Sequence, residues 1–358
     1  MAESISIAGR LVGKGHKPFV IAELSGNHNQ DLALAKKMIA AAAESGVDAI
    51  KLQTYTADSM TLAVDSDNFR IQEKDSLWYG AHLHELYQQA CTPYEWHAEL
   101  FEYANSLGLI AFSSPFDEEA VDFLESLNVP CYKIASFELT DLPLIKKAAL
   151  TGKPIIMSTG MASIEEIEQA LATVYATGNK QVVLLKCTST YPASPENTHL
   201  STIVDMQQRF GCDIGLSDHT RGIGVAVASV ALGACVIEKH FVLDRNAGGV
   251  DAAFSLEPQE FADLVENSQQ AFAALGQVTY GGSAAEEKSK YYRRSIFVTQ
   301  DVKAGDVIDK SNVKIVRPAI GLAPKYLPLV LGQSFSQDLA AGSALLAEHI
   351  VDFQAESV

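Results

Sequence analysis

The stretch "IGLSDHTRG", residues 214–222, passes from apolar to polar within a few residues: Ile214, Gly215 and Leu216 lead straight into Ser217, Asp218 and His219. Its length and composition suit a buried strand that delivers its last side chains to whatever lies beyond the strand end. The same design recurs. "FVIAEL" (19–24), "AIKLQ" (49–53), "LIAFS" (109–113), "CYKIA" (131–135), "PIIMS" (154–158), "VVLLKC" (182–187), "DIGLS" (213–217) and "CVIEKHF" (235–241) are all short apolar runs. Helical patterns separate them, giving β-α units over about 250 residues. The expected fold class is α/β, a (β/α)₈ TIM barrel. An open doubly wound sheet fits less well, because no Gly-rich phosphate loop follows the first strand.

Local signals support the alternation. One helix should carry Leu32, Ala35, Ile39 and Ala42 on one face and stop at Gly46. Another should open at "TPYE", with Thr92 capping, Pro93 in the first turn and Glu95 completing a capping box; "SIEE" at Ser163 offers a second box. The connection from Thr54 to Cys91 is long and carries Tyr55, Phe69, Trp78, Tyr79 and Tyr87, which suits a lid better than a disordered linker. After Gly276 the composition changes. Residues 1–280 are expected to form the barrel, 281–295 ("GGSAAEEKSKYYRRS") a linker, and 296–358 a small, mostly β module.

Composition excludes several functions. With 27 Lys+Arg against 44 Asp+Glu the net charge is -17, so no global field draws the chain to nucleic acid or an anionic membrane. An anionic substrate would need a local cluster of cations. The apolar run Ile223–Ile237 is short of a membrane span and interrupted by Gly and Ser, and the opening "MAESISIAGRLVGKG" lacks the pattern of a signal peptide. The five cysteines are scattered, with no CxxC, which points to a reducing cytoplasm rather than a disulfide framework or zinc knuckle.

In a barrel of this kind the chemistry lies at the C-terminal ends of the strands. There the sequence places Glu23, Lys51 and Gln53, Ser113 and Ser114, Lys133 and Ser136, Ser158 and Thr159, Lys186 and Thr188, then Ser217, Asp218 and His219, and finally Glu238, Lys239 and His240. Strand alternation puts Lys51 with Gln53, and Glu238 with His240, leaving Lys239 on the opposite face. Lysines inside apolar runs are costly unless they meet an internal glutamate or an anionic ligand; several at one rim among hydroxyls favour a phosphate or carboxylate. His219 and His240 end adjacent strands about 5 Å apart, so the pair suits one divalent ion with N and O donors, although a single such histidine would more simply be hydrogen-bonded structure. A metal-dependent hydrolase would show a His-x-His pair on its first strand, whereas "SGNHN" offers only His28.

At these residues the chain resembles the sialic-acid synthase family, in "IAELSGNHN", "AIKLQTYT", "FSSPFD", "YKIASFE", "MSTGM", "CTSTYP", "GLSDHT", "EKHF" and the Gly-Gly-x-Asp stretch at 248–251. Its C-terminal module is similar to that family's antifreeze-like (SAF) domain. "KLQTYT", "LWYGAHLHELY" and "TPYEWH" look most like the branch that makes pseudaminic acid from 2,4-diacetamido-2,4,6-trideoxy-L-altrose. Lys51-Leu52-Gln53 and Ser189 depart from the pattern of the N-acetylneuraminate branch.

The resemblance implies a carbon–carbon bond-forming transferase using phosphoenolpyruvate and an acylated amino sugar. It implies that His219 and His240 hold a divalent metal, Mn²⁺ first, with Mg²⁺ or Co²⁺ as alternatives. Lys51, Lys133, Ser136, Ser158, Ser217, Ser114 and Ser189 would cradle phosphoenolpyruvate, and Glu23 would serve as acid-base group or sugar contact. Gln53, Tyr191, Glu238 and Asp251 would line the sugar side. Arg317 would reach the partner's barrel mouth in a domain-swapped homodimer. Asp218 is expected to orient His219. Competing readings are an N-acetylneuraminic or legionaminic acid synthase and, from another class, a non-catalytic carbohydrate-binding protein. Tyr191 and Trp78 as plain packing aromatics, and Arg317 as a surface residue, remain open.

Overall fold

The computed structural model describes residues 5–74 and 76–354. The chain divides between Gly276 and Gln277 into two compact units. The first begins with a hairpin of β1 (Ile5–Ile7) and β2 (Arg10–Val12). Eight strands follow: β3 (Phe19–Glu23), β4 (Ala49–Thr54), β5 (Ile110–Pro115), β6 (Tyr132–Ile134), β7 (Ile155–Ser158), β8 (Val182–Cys187), β9 (Asp213–Asp218) and β10 (Val236–His240). All neighbours are parallel, and β10 pairs back onto β3 to close a TIM-like barrel. The eight expected strands are therefore all present, with ends moved by a residue or two.

Closure sets what meets what. His240 of β10 lies in register with Glu23 of β3, and Glu23 with Lys51 of β4. Glu238 lies beside Ser217, and Lys239 beside Asp218. Apolar side chains from strands and surrounding helices, among them Phe19, Ile21, Phe112, Tyr132 and Phe241, form one core. The β1–β2 hairpin sits at the N-terminal end of the barrel, where Arg10 pairs with Asp48 at 3.0 Å and Lys14 N donates to Asp213 at 3.1 Å. Gly13 passes so close to Asp213 that a Cβ there would stand 2.6 Å from its carboxylate. No sequence pattern announced these three-residue strands, because they are too short to display alternation.

Two local expectations fare differently. The Ser163–Glu166 capping box forms and opens helix Ile164–Ala176. The box expected at Thr92 does not: Pro93 is the N-cap of helix Tyr94–Ser106, without a side-chain cap. The Thr92 hydroxyl bonds instead to His28 Nε2 at 3.0 Å, a tertiary partner that outcompetes the local one. Within the long connection, Ala57–Met60 and Leu83–Ala90 are helical. Among the described residues no helix is long and apolar enough to cross a membrane.

The second unit has its own core of Ile296, Val298, Val302, Ile308, Val313, Val330, Phe335, Leu345 and Ile350. Strands β11 (Ser295–Val298) and β12 (Val313–Val316) pair antiparallel, and isolated bridges such as Val302–Leu339 and Phe335–Ile350 extend the β character. In the stretch read as linker, a Ser283–Glu286 capping box starts a short helix, Ala284–Glu287.

Candidate active site

Four buried charged side chains occupy the C-terminal mouth of the barrel. Lys51 Nζ lies 2.5 Å from Glu23 Oε2 and 3.4 Å from Glu238 Oε2. Lys133 Nζ lies 3.5 Å from Glu238 Oε1 and donates to Ser158 Oγ at 2.7 Å. Each of the four is at most 5% exposed. Internal Lys–Glu pairing, one of the two explanations for lysines in apolar strands, is thus realised. It is not symmetrical. Glu238 is held below the usual carboxylate range: burial opposes its charge, but Lys133 and Lys51, with the Ser217 hydroxyl at 3.1 Å, outweigh it. Glu23 is pushed up to about 7, chiefly by burial and further by Glu238, against the pull of Lys51. Its Oε1 has no hydrogen-bond partner. Whenever Glu23 is protonated, two lysines face one carboxylate and the cluster is net positive, ready for an anion.

Hydroxyls gather around the lysines. Ser114 Oγ accepts from Lys51 Nζ at 3.2 Å, and Gln53 is in register with Ser114. Ser136 Oγ accepts from Gly160 N at 3.1 Å, while Ser189 Oγ is 3.6 Å from Cys187 Sγ. Gly160 lies between these two serines, since a Cβ there would be 2.1 Å from Ser189 Oγ and 2.8 Å from Ser136 Oγ. Lys186, also read as a rim cation, turns to Cys187 O and Thr188 Oγ1.

On the other side of Glu238 stand the histidines, ring centroids 5.3 Å apart. His219 Nδ1 is 3.0 Å from Thr188 O; donating there leaves the Nε2 lone pair free. His240 Nδ1 is buried without a hydrogen-bond partner, 3.5 Å from Asp251 Oδ2. Burial, then the charges of His219 and Lys51, hold His240 well below its usual range and so neutral. The orphaned His240 Nδ1 and the free His219 Nε2 are two imidazole nitrogens that suit a divalent metal. Among the described residues no group of three or more His, Cys, Asp and Glu surrounds a common point for an ion. Asp251 accepts from Ser25 Oγ, and its backbone N–H donates to Asn27 Oδ1 at 3.1 Å.

Aromatic rings wall this half. Tyr191 packs on His219 at 4.6 Å between centroids and on Trp78 at 6.2 Å, while Trp78 Nε1 donates to Val250 O at 3.2 Å. Phe254 packs on His240 at 4.9 Å. Arg317 belongs to the second unit and is exposed.

One expectation fails. Asp218 does not orient His219, whose ring is held by Thr188 O. Asp218 faces the other side of the sheet, 2.7 Å from Lys239 Nζ, as strand alternation after Ser217 requires. Sequence reading also missed Glu138. This carboxyl sits in the turn Ser136–Thr140 after β6, is pushed up to about 7 by burial, and has an unpartnered Oε2. Only its place two residues after Ser136 could have flagged it. Phe254 and Cys187 were missed too, having no polar signal.

A family model described as the NeuB family matches residues 38–280, and a SAF-domain model matches 293–351. The chain belongs to the NeuB family. Among its relatives is "Pseudaminic acid synthase" of Helicobacter pylori, 46% identical over 334 residues, covering 93% of this chain and 98% of that protein. "N,N'-diacetyllegionaminic acid synthase" of Legionella pneumophila is 39% identical over 338 residues, covering 93% and 94%. A crystal structure of N-acetylneuraminic acid synthetase from Leptospira borgpetersenii superposes with a TM-score of 0.72 at 31% identity, over 82% of this NeuB-family chain and 97% of the other.

Proposed function

We propose that this NeuB-family enzyme condenses phosphoenolpyruvate with 2,4-diacetamido-2,4,6-trideoxy-L-altrose and water, giving pseudaminic acid and phosphate. The observation that carries this reading is the two-part site. A buried, hydroxyl-rich cluster around Lys51 and Lys133 suits a polyanionic donor, and a histidine pair beside it suits a carbonyl acceptor. The choice of sugar rests on the resemblance to pseudaminic acid synthases.

Lys51, Lys133, Ser114, Ser136, Ser158, Ser189 and Ser217 hold the phosphate and carboxylate, so that C3 of phosphoenolpyruvate faces the sugar aldehyde. His219 and His240 would hold a Mn²⁺-type ion, which would supply Lewis-acid polarisation of that aldehyde. As the C–C bond forms, the aldehyde oxygen gains negative charge and C2 of the donor becomes cationic. Glu23, poised near neutrality, gives a proton to that oxygen and then takes one from the water that adds at C2. The tetrahedral intermediate loses phosphate by C–O cleavage. Gln53, Tyr191, Glu238 and Asp251 line the sugar side, with Glu138 completing it. Arg317 reaches the sugar's acyl group in the barrel of a second subunit, making the working form a domain-swapped homodimer.

The test is phosphate release with phosphoenolpyruvate and Mn²⁺, comparing the trideoxy diacetamido altrose with N-acetylmannosamine. Turnover of the altrose, abolished by a chelator, is expected. Turnover of N-acetylmannosamine alone overturns the substrate, and no release with any acylated sugar favours a carbohydrate-binding protein.

A further inference from the structure

Behind the histidine pair, on the opposite face of β9 and β10, lies an ion pair that the reaction does not touch. Lys239 and Asp218 are 1% and 3% exposed. Lys239 Nζ donates to Asp218 Oδ2 and to Thr220 O, both at 2.7 Å. Asp218 Oδ1 accepts from Thr220 N at 2.9 Å. One ammonium from β10 thus grips the two residues that flank His219, while Lys239 itself directly precedes His240. On the inner face, Ser217 Oγ donates to Glu238 at 3.1 Å, tying the same two strands. The remaining constraint on His219 comes from β8 and the segment after it, through Ala193 N to His219 O and the ring bond to Thr188 O, each 3.0 Å.

Stability does not account for such a pair. Desolvating two charges costs about as much as their attraction returns, and apolar replacement of a buried pair is commonly neutral or stabilising. What an apolar pair cannot reproduce is the directional tie from β10 to the backbone at Thr220. Without it the end of β9 beyond Asp218 has no polar tie to β10 on the outer face, and the two imidazoles lose their fixed spacing. We propose that Lys239 and Asp218 are positioning residues that set the spacing of His219 and His240 for the metal. This rests on the metal reading given above.

The experiment uses the full-length protein stripped of metal. Mn²⁺ binding is measured calorimetrically without substrates, beside phosphoenolpyruvate binding and thermal melts, for wild type, Asp218→Asn, Lys239→Met with Asp218→Leu, and Lys239→Met with Asp218→Asn. Both double variants are expected to bind Mn²⁺ about 10- to 100-fold more weakly, the range for losing a metal ligand's supporting contact. Phosphoenolpyruvate binding should stay within about twofold, because none of its residues is altered. Asp218→Asn keeps the acceptor for Thr220 N and leaves Lys239 donating to Thr220 O, so it should bind Mn²⁺ nearly as wild type does. If the leucine variant fails to fold, the asparagine double variant, which retains the turn at Thr220, decides alone. A folded double variant with wild-type Mn²⁺ affinity overturns the positioning role and spares the metal reading. A wild-type protein that takes up no Mn²⁺ overturns both.

Discussion

Replacing Lys133 by Met tests the anion cluster most directly. The methionine fills similar volume but removes the ammonium that donates to Ser158 Oγ at 2.7 Å and to Ile134 O at 3.2 Å, and that lies 3.5 Å from Glu238. Two unit charges about 4 Å apart attract by ~4 kcal/mol at an effective dielectric of about 20. A hydrogen bond to a charged group is worth roughly 1.5–3 kcal/mol net. These overlap for one contact, and Lys51 still faces the donor, so a loss of ~3 kcal/mol is reasonable for phosphoenolpyruvate. At 1.36 kcal/mol per tenfold, that is about a 100-fold rise in its KM. The fold should survive, because Glu238 keeps Lys51 at 3.4 Å and Ser217 at 3.1 Å. Steady-state phosphate release, varying each substrate in turn, reads the split, with a thermal melt as control. A rise of less than about threefold in a folded variant, or an equal rise in KM for the sugar, would refute the assignment of Lys133 to the anion.

With Glu23 titrating near 7, wild-type kcat/KM should inflect around neutrality, and Glu23→Gln should lose both that inflection and about 10²- to 10⁴-fold in rate; an unchanged profile removes Glu23 from proton transfer. Gly160→Ala should cripple turnover with little change in melting temperature, since its Cβ would displace the hydroxyls of Ser189 and Ser136, and full activity would mean those serines do not hold the donor. Burial lowers His28 and His97 from 6.5 to about 4, so each is neutral when folded; a proton taken up only on unfolding removes stability as pH falls from about 6.5 towards 4, up to ~3 kcal/mol apiece. Melts between these pH values should show that slope, shallower in His97→Asn, and a flat profile contradicts the account. Arg317→Ala should raise KM for the sugar far more than for phosphoenolpyruvate, and an equal effect on both refutes its role.

Much of the barrel was legible because its strands are short apolar runs with polar ends, a pattern set by residues near one another in the chain. "DIGLSDHT" and "CVIEKHF" each announce a strand and a terminal histidine. Alternation also placed Lys239 on the face away from His240 before any partner was known. The three-residue strands Ile5–Ile7 and Arg10–Val12 carried no such periodicity, and Glu138 sits in a turn where no period applies.

What only tertiary structure decided is which polar end meets which. Thr92 gave up a local cap for His28, 64 positions away in the chain, and Asp218 gave up His219 for Lys239, 21 positions away. Barrel closure brought His240 beside Glu23, so that two lysines, two glutamates and two histidines share one buried mouth. There the lack of water, rather than any property of the isolated side chains, raises Glu23 towards 7 and keeps His240 neutral. Local sequence dictates strand and turn because those preferences act between neighbours. Protonation and partnership arise from burial among residues the chain brings together only on folding.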